Sequence, residues 1–228
     1  MKNSLVPLCI CIVTLSTQLL DAQERMRYRE FQLGSDVASV GKLIGTAASD
    51  VKLIHQRPAV MQDLEWRPRY FSRGALAQTD PVELIVFRFY DDQLFRVVVD
   101  YHRDRTKGMT EADMIAAMTA EYGPASRVLP TSNRVPTLDY GTADAPVAIW
   151  GDKESSVTLL RVAYPVSFRL VVSLTRLDNL ARTASAEAVR LDVKEAPQRE
   201  IARQKKESDE ALAALEKAKT ENKAVFRP

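Results

Sequence analysis

The stretch of sequence that decides the fold runs from Val82 to Tyr101 and reads VELIVFRFYDDQLFRVVVDY. Val, Ile, Phe and Tyr dominate both sides of Asp91-Asp92, a pattern typical of two strands joined by a tight turn. Because successive side chains of a strand point to opposite faces, the apolar residues fall on one face and the polar residues on the other. The predicted apolar face comprises Ile85, Phe87, Phe89, Phe95, Val97, Val99 and Tyr101, and the polar face comprises Arg88, Arg96 and Asp100. A sheet with one wet face favours antiparallel pairing.

The same plan occurs twice in the chain, and one constant offset, which carries Gly34 onto Gly108, relates the two copies. We call this the repeat offset. It matches residues 36–47 with 110–121 and residues 84–101 with 158–175, so that Val97 and Val98 fall on Val171 and Val172. Each copy opens with a Gly-led helix and closes with an apolar hairpin. We therefore predict two successive repeats of one scaffold.

The helix of each repeat is indicated by apolar residues at helical spacing. In the first repeat these are Val37, Val40, Ile44, Ala47 and Val51, after Gly34-Ser35-Asp36. In the second repeat, Thr110 and Asp113 form a capping box, and Met109 is placed to close over Met114 as a hydrophobic staple. Gly123 and Pro124 then end the helix, since Gly allows a left-handed exit and Pro cannot continue the helix.

Strands follow the helix in each repeat. Ser156 to Ala163 and Ser167 to Thr175 repeat the hairpin around Tyr164-Pro165-Val166, and leading strands are predicted at Gln62 to Arg67 and Ala145 to Trp150. Each repeat is then a helix followed by about three strands. The predicted fold class is α+β, with two tandem helix-plus-antiparallel-sheet repeats at residues 23–105 and 106–177 and a charged, Ala-rich helical tail at 178–228.

Residues 1–22 have the composition of a secretory signal peptide, with Lys2, an apolar run from Leu5 to Leu20 and a plausible cleavage site after Ala22. We expect an exported protein, periplasmic or secreted, without a membrane span after cleavage. Cys9 and Cys11 both lie in the signal, so the mature chain has no cysteine. A net charge of +2 favours neither nucleic acid nor an acidic membrane as partner.

This plan resembles the tandem helix-plus-sheet repeat of the β-lactamase inhibitor proteins over approximately Leu33 to Arg176. In addition, Gly108-Met109-Thr110 and Tyr122-Gly123-Pro124 are similar to the small outer-membrane lipoprotein of the β-barrel assembly machine, although the first repeat has Ser35 and Asp36 where Met and Thr are expected. Both families are exported and bind proteins without catalysis, and the resemblance implies the same here. The whole chain also resembles exported bacterial proteins that end in a charged helix and a Phe-Arg-Pro tail, a resemblance that implies no activity.

The tail from Leu177 onward is rich in Ala, Glu, Lys, Arg and Gln and contains no Gly, a composition that favours helix. Leu177, Leu180, Ala184, Ala188 and Leu191 form an apolar stripe that could dock on the sheet. We expect Pro197 to interrupt or restart the helix. Lys205, Ser208 and Lys219 occupy seam positions of a possible coiled coil, so we favour a solvated helix that projects from the domain over a coiled-coil partner helix.

Motifs for catalysis are absent from the mature sequence, which has no thiol, no Gly-x-Ser-x-Gly elbow, no phosphate loop and no dinucleotide fingerprint. The one local pattern with chemical potential is Asp100-x-His102-x-Asp104, where strand alternation would bring three metal donors to one face. Nearby Arg103, Arg105 and Lys107 argue against a cation there, and His55 is expected in a surface loop. We assign no catalytic, cofactor-binding or metal-binding residue and expect no enzyme activity.

Large aromatic rings mixed with arginines lie together in Trp66-Arg67-Pro68-Arg69-Tyr70-Phe71. Such rings dominate binding hot spots, so Trp66, Arg67, Arg69, Tyr70 and Phe71 form the predicted partner-binding surface. The leading hypothesis is a non-enzymatic protein of the cell envelope that binds another envelope protein. The alternatives are a carrier or sensor that holds a small ligand between the repeats and a metal-dependent hydrolase. The sequence leaves the oligomeric state open.

Overall fold

The computed structural model describes residues 27–47, 50–68, 80–130, 144–164 and 166–227. The protein is α+β, with a small two-stranded sheet, an eight-stranded antiparallel sheet and a long C-terminal helix. The strands are β1 (Arg27–Tyr28), β2 (Phe31–Gln32), β3 (Lys52–His55), β4 (Met61–Trp66), β5 (Val82–Tyr90), β6 (Gln93–Tyr101), β7 (Arg127–Val128), β8 (Asp144–Gly151), β9 (Ser155–Val162) and β10 (Ser167–Leu174). The helices are α1 (Val37–Ile44), α2 (Arg103–Thr106), α3 (Glu111–Tyr122) and α4 (Thr175–Val225).

The large sheet joins two halves that are built alike. Its strand order is β3-β4-β5-β6-β10-β9-β8-β7, and every neighbouring pair is antiparallel. The first half contributes α1 and the meander β3 to β6, while the second contributes α3 and the meander β7 to β10. Each half therefore has four strands after its helix rather than the predicted three. The short outer strands β3 and β7 carry too few residues for a clear alternating pattern, which is why the sequence missed them.

The repeat offset does not describe the central strands. In the pairing of β6 with β10, Val97 lies opposite Val172 and Val98 lies opposite Val171. Val97 and Val172 belong to the main core, whereas Val98 and Val171 belong to a small cluster on the other face. Because side chains alternate along a strand, a shift of one position exchanges the two faces. The predicted match of Val97 with Val171 is wrong, because Val97 faces the main core and Val171 lies on the other face of the sheet.

A β-bulge also changes one predicted side-chain direction. The register between β5 and β6 shifts after Arg88, where Arg88 pairs with Arg96 and Phe89 pairs with Leu94. The extra residue, Phe95, packs with Met61 and Leu177 instead of joining Val97 in the main core. A bulge inserts one unpaired residue and interrupts the alternation of faces. Phe95 was therefore predicted on the wrong face, whereas the other apolar residues of the predicted face lie in the main core as expected.

Both sheet-packing helices begin with the same kind of cap. Asp36 accepts a hydrogen bond from the backbone N–H of Ser39, and Thr110 accepts one from Asp113 in the predicted capping box. Gly34 and Gly108 precede the caps with φ of 89° and 84°, a left-handed backbone that favours Gly. Here the repeat offset holds. The first helix is shorter than predicted, because Gly45 ends it in the left-handed conformation before Ala47 and Val51.

The main core lies between one face of the large sheet and α1, α3 and the small sheet. Val40 of α1 and Met114 of α3, which are equivalent under the repeat offset, are both buried there. Phe31 of β2 packs its ring against Phe87 at a centroid distance of 4.6 Å. Burial of such side chains contributes about 1.5–3 kcal/mol each, so this core is the main source of stability. The small sheet, whose strands were not predicted from the sequence, is thus part of the core.

Three tyrosines form a buried polar cluster at the edge of this core. Burial raises the pKa of Tyr28 to about 12, and it raises the pKa of Tyr101 and of Tyr122 above the usual value. The Arg29 guanidinium donates two hydrogen bonds to the Asp80 carboxylate, at 2.8 Å each. The cluster links β1, β6 and α3, and its phenols remain neutral in the folded state at physiological pH.

Helix α4 contains residues of two compact units, one ending at Arg182 and the other beginning at Thr183. In the first unit, Leu177 and Ala181 pack with Met61 and Phe95. The Asp178 carboxylate pairs with the Arg96 guanidinium, and both side chains are buried. The first turns of α4 are therefore fixed to the sheet by an apolar contact and by an ion pair. Leu180, which was predicted in the docking stripe, is instead 42% exposed.

The second unit is a helix, and the C-terminal part of this helix is exposed to solvent. All described residues from Ala196 to Arg227 are exposed. Ion pairs between side chains three or four residues apart, such as Arg203 with Glu200 and Glu207, weakly stabilise such a helix. The predicted break at Pro197 is wrong, since α4 continues through it. Arg199 bridges this turn by donating to the carbonyl and carboxylate oxygens of Asp192, at 3.2 and 2.7 Å.

Candidate protein-interaction surface

The aromatic surface predicted from sequence is only partly described by the structure. Trp66 is the last residue of β4 and packs edge-on against Phe31, with 5.7 Å between ring centroids. Its neighbour Arg67 is partly exposed. Arg69, Tyr70 and Phe71 lie outside the described residues. The described part of the segment thus contributes one ring to the core, and the surface it was expected to form remains a prediction.

The three potential metal donors in Asp100-x-His102-x-Asp104 do not converge. Asp100 binds the Arg169 guanidinium at 2.5 Å. His102 caps α2, where its Nδ1 accepts a hydrogen bond from the backbone N–H of Asp104 at 3.2 Å. The strand ends at Tyr101, so alternation stops before the second donor. Across the described ranges, no group of three His, Cys, Asp or Glu side chains is placed to hold a metal ion.

His55 is the last residue of β3, at one edge of the large sheet, and not part of a loop as predicted. Leu53 and Ile54 beside it are exposed. An edge strand presents both of its faces to solvent where nothing covers it, which explains the exposure of two consecutive apolar residues. Among the residues that the structure describes, His55 forms no ion pair with an acidic side chain.

The sheet face opposite the main core carries paired charges. Arg169 binds Asp100 and the fully buried Asp144, the latter at 2.6 Å. Arg88 lies 3.6 Å from Asp63, whose pKa is raised by burial. Buried carboxylates with a guanidinium partner are satisfied structural groups, and removing one partner would leave an uncompensated charge. These acidic and basic side chains join neighbouring strands, and their charged groups are engaged in these ion pairs.

In the first half, hydrogen bonds join the start of α1 to the turn of the β5–β6 hairpin. We call this region the closed junction (residues 34–37 and 91–94). The backbone N–H of Gly34 donates to the Leu94 carbonyl at 2.7 Å, and the N–H of Leu94 donates to the Ser35 carbonyl at 2.8 Å. The Asp92 carboxylate accepts from the N–H of Val37 at 3.0 Å. Asp91 and Asp92 both have positive φ, as a two-residue hairpin turn requires. Helix start and hairpin tip are thus joined by three hydrogen bonds.

In the second half, the corresponding region between the start of α3 and the β9–β10 hairpin is open. We call this region the open junction (residues 103–109, 161, 164 and 166–168). Its hairpin turn is longer, and α2 lies before the helix start. A pocket of about 270 Å³ occupies the space between them. Buried Phe168 contributes an aromatic side chain to its lining. The remaining lining residues are Arg103, Asp104, Thr106, Lys107, Gly108, Met109, Arg161, Val166 and Ser167.

Large apolar side chains are exposed at the open junction. Tyr164, in the same hairpin turn as Val166, is 89% exposed, while Val166 is 53% exposed and Met109 is 38% exposed. Met109, which was predicted to close over Met114, lines the pocket. Scattered exposed apolar residues are normal, but a group around a pocket marks an interaction site. The sequence offered one signal for it: Tyr and Val in a turn, where small polar residues are usual.

Comparison of the chain with protein-family models, with curated proteins and with solved structures found no match. The functional proposal therefore rests on the geometry of the described residues. In that part of the chain, no helix combines the length and the apolar character needed to cross a membrane.

Proposed function

We propose that this chain is an exported, non-enzymatic interaction protein of the cell envelope that binds another protein through the open junction. The observation that carries the proposal is the exposure of Tyr164, in a turn whose Val166 lines the same pocket as Met109. Tyr is enriched in binding hot spots because its ring supplies a large contact area at low entropic cost. On a hairpin tip, the exposed ring leaves this contact area available to a partner.

The state of the ionisable groups supports a binding role over catalysis. Asp100 and Asp144 both pair with Arg169 on the sheet, and His102 is used as a helix cap. Catalytic acids and bases must instead face a cleft with free access to substrate. The pocket of the open junction, at about 270 Å³, lies at the lower limit of the range of about 300–1,000 Å³ typical of sites for small molecules. It also lies within the second half, whereas a ligand carrier of the kind considered above requires a cleft between the repeats.

Export is supported by the signal-like composition of residues 1–22, and the resemblance to exported binding proteins points to the same compartment. In the envelope, the partner of such a module is another exported or membrane-attached protein. The scaffold then acts as a rigid support, because the strands of the hairpin belong to an eight-stranded sheet.

Site-specific photo-crosslinking in intact cells tests this function. A benzoylphenylalanine is placed at position 164 of the full chain, and the matched control carries it at Gln93, an exposed residue at the hairpin of the closed junction. We expect position 164 to crosslink to one discrete envelope protein and Gln93 to give no such product. Equal labelling from both positions, or no adduct from position 164 at native expression, would contradict the proposal.

A further inference from the structure

The two junctions differ in charge as well as in closure. The pocket of the open junction is lined by three cations, Arg103, Lys107 and Arg161, and by one carboxylate, Asp104. Arg161 lies 3.4 Å from Glu111, so its charge is partly balanced. Arg103 and Lys107 form no ion pair with the described residues, and both are exposed. The Asp104 side chain is 80% exposed and lies 3.8 Å from His102, so the pocket retains an excess of positive charge.

A lining that combines apolar side chains with exposed cations defines the chemistry of an occupant. Phe168 and Val166 offer a surface to an aliphatic or aromatic side chain, while Arg103 and Lys107 favour carboxylates beside it. A free inorganic anion would satisfy the cations but leave Met109 and Val166 exposed. A nucleic acid requires an extended basic stripe along its backbone, whereas these cations surround a single small pocket.

We propose that the open junction receives an acidic peptide segment of the partner, with one apolar side chain inserted against Phe168 and flanking carboxylates paired with Arg103 and Lys107. This proposal rests on the function proposed above and specifies the segment that the partner presents. The pocket volume of about 270 Å³ has room for one inserted side chain. Tyr164 and Met109 then cover the remainder of the segment at the rim.

The closed junction explains why only one half is assigned this role. There the hairpin tip binds the helix start directly, through Gly34, Leu94 and Asp92. A partner segment would have to displace these hydrogen bonds. In the open junction the corresponding space is already a pocket, so binding costs no internal contact.

Fluorescence anisotropy with defined peptides tests the proposal on the full chain. The probe is a short labelled peptide in which Asp and Glu flank a single Leu, and the comparison peptides replace Leu by Ala or the acids by Lys. We expect the acidic Leu peptide to bind saturably, and we expect the other two to bind at least about tenfold more weakly. A labelled single-stranded oligonucleotide and competing inorganic phosphate are measured in parallel.

Charge reversal at the pocket provides the decisive variants. R103E with K107E should weaken binding of the acidic peptide about tenfold or more and improve binding of the Lys peptide. The matched control, K42E with K153E, changes the net charge equally at exposed sites away from the pocket and should leave the acidic peptide within about twofold. Circular dichroism of all variants checks that each remains folded.

Several outcomes would overturn the inference. These are equal losses in both double variants, an acidic peptide that does not bind, tighter binding of the oligonucleotide, or displacement of the peptide by phosphate alone. If crosslinking from position 164 still identified a partner protein, the proposed function would stand and only the acidic segment would be rejected. If neither experiment gave a signal, both proposals would fail together.

Discussion

The two helix–hairpin junctions start from equivalent sequence positions and end in different structures. Both begin with a positive-φ Gly, Gly34 or Gly108, and a capped helix. In the closed junction, a two-residue turn brings Asp92 onto the start of α1. In the open junction, the turn is longer and exposes Tyr164, while α2 stands beside the helix start. Two halves built on one plan can thus differ in their connecting segments, so that one junction is closed by hydrogen bonds and the other retains a pocket.

The largest expected effect comes from removing the side chain that holds α3. Met114 is the one buried residue of α3, so M114A should lower the free energy of unfolding by about 3 kcal/mol through loss of contacts and cavity formation. Chemical denaturation monitored by circular dichroism measures the change. The equivalent variant V40A removes fewer atoms and should cost less. A smaller loss for M114A than for V40A would show that α3 does not depend on this contact.

High pH should separate the buried tyrosine cluster from the rest of the fold. The folded pKa of Tyr28, about 12, lies above the ordinary value of 10, so its contribution to stability is fully present below pH 10 and is lost as the pH rises towards 12. From Tyr28 alone we expect a loss of roughly 2 kcal/mol near pH 12. The measurement is urea unfolding at successive pH values, with Y28F as the control that should lose much of this dependence. A wild-type midpoint that is constant up to pH 12 would argue against burial of the phenols.

The carboxylate of Asp92 should account for part of the stability of the closed junction. D92G retains the positive φ of the turn and removes the bond to the N–H of Val37, so we expect a loss of about 1.5 kcal/mol. At the hairpin tip of the open junction, Y164A should change the unfolding free energy by less than about 0.5 kcal/mol. Both variants are compared by thermal and chemical unfolding. Equal losses would remove the distinction between the junctions.

The smallest loss among the structural contacts is expected at the cap of α3. T110A removes the acceptor for the N–H of Asp113 and should cost about 1 kcal/mol, whereas T110S retains the oxygen and should be close to wild type. Thermal unfolding distinguishes the two variants. If T110S were as unstable as T110A, the loss would come from the methyl group and not from the capping box.

Local signals in the sequence were sufficient for the longer elements of the fold, but not for α2 or for the short strands β1, β2, β3 and β7. The Asp91-Asp92 turn, the Thr110 and Asp113 capping box and the apolar hairpins were all predicted, because each depends on neighbours within a short stretch of chain. The faces of the central strands were not, since the slip between Val97 and Val171 is set by pairing across the sheet. The direction of Phe95 depends on a bulge that leaves no mark in an alternating pattern.

The open junction could not be predicted for a different reason. Its cations come from positions 103, 107 and 161, which are brought together only when the hairpin of β9 and β10 packs beside α2. The aromatic segment around Trp66 was predicted as a partner-binding surface because its residues are consecutive in the sequence. The proposed binding residue Tyr164 is recognised by its exposure to solvent, which is a property of the folded chain.

Amide hydrogen exchange at the two junctions, measured by NMR on the free protein, tests the central claim most directly. Hydrogen bonding protects an amide until the structure opens locally, so we predict slow exchange at Gly34, Val37 and Leu94 and fast exchange at Gly108 and Val166. Comparable protection at both sets of amides would mean that the second junction is closed in solution, and it would contradict the account.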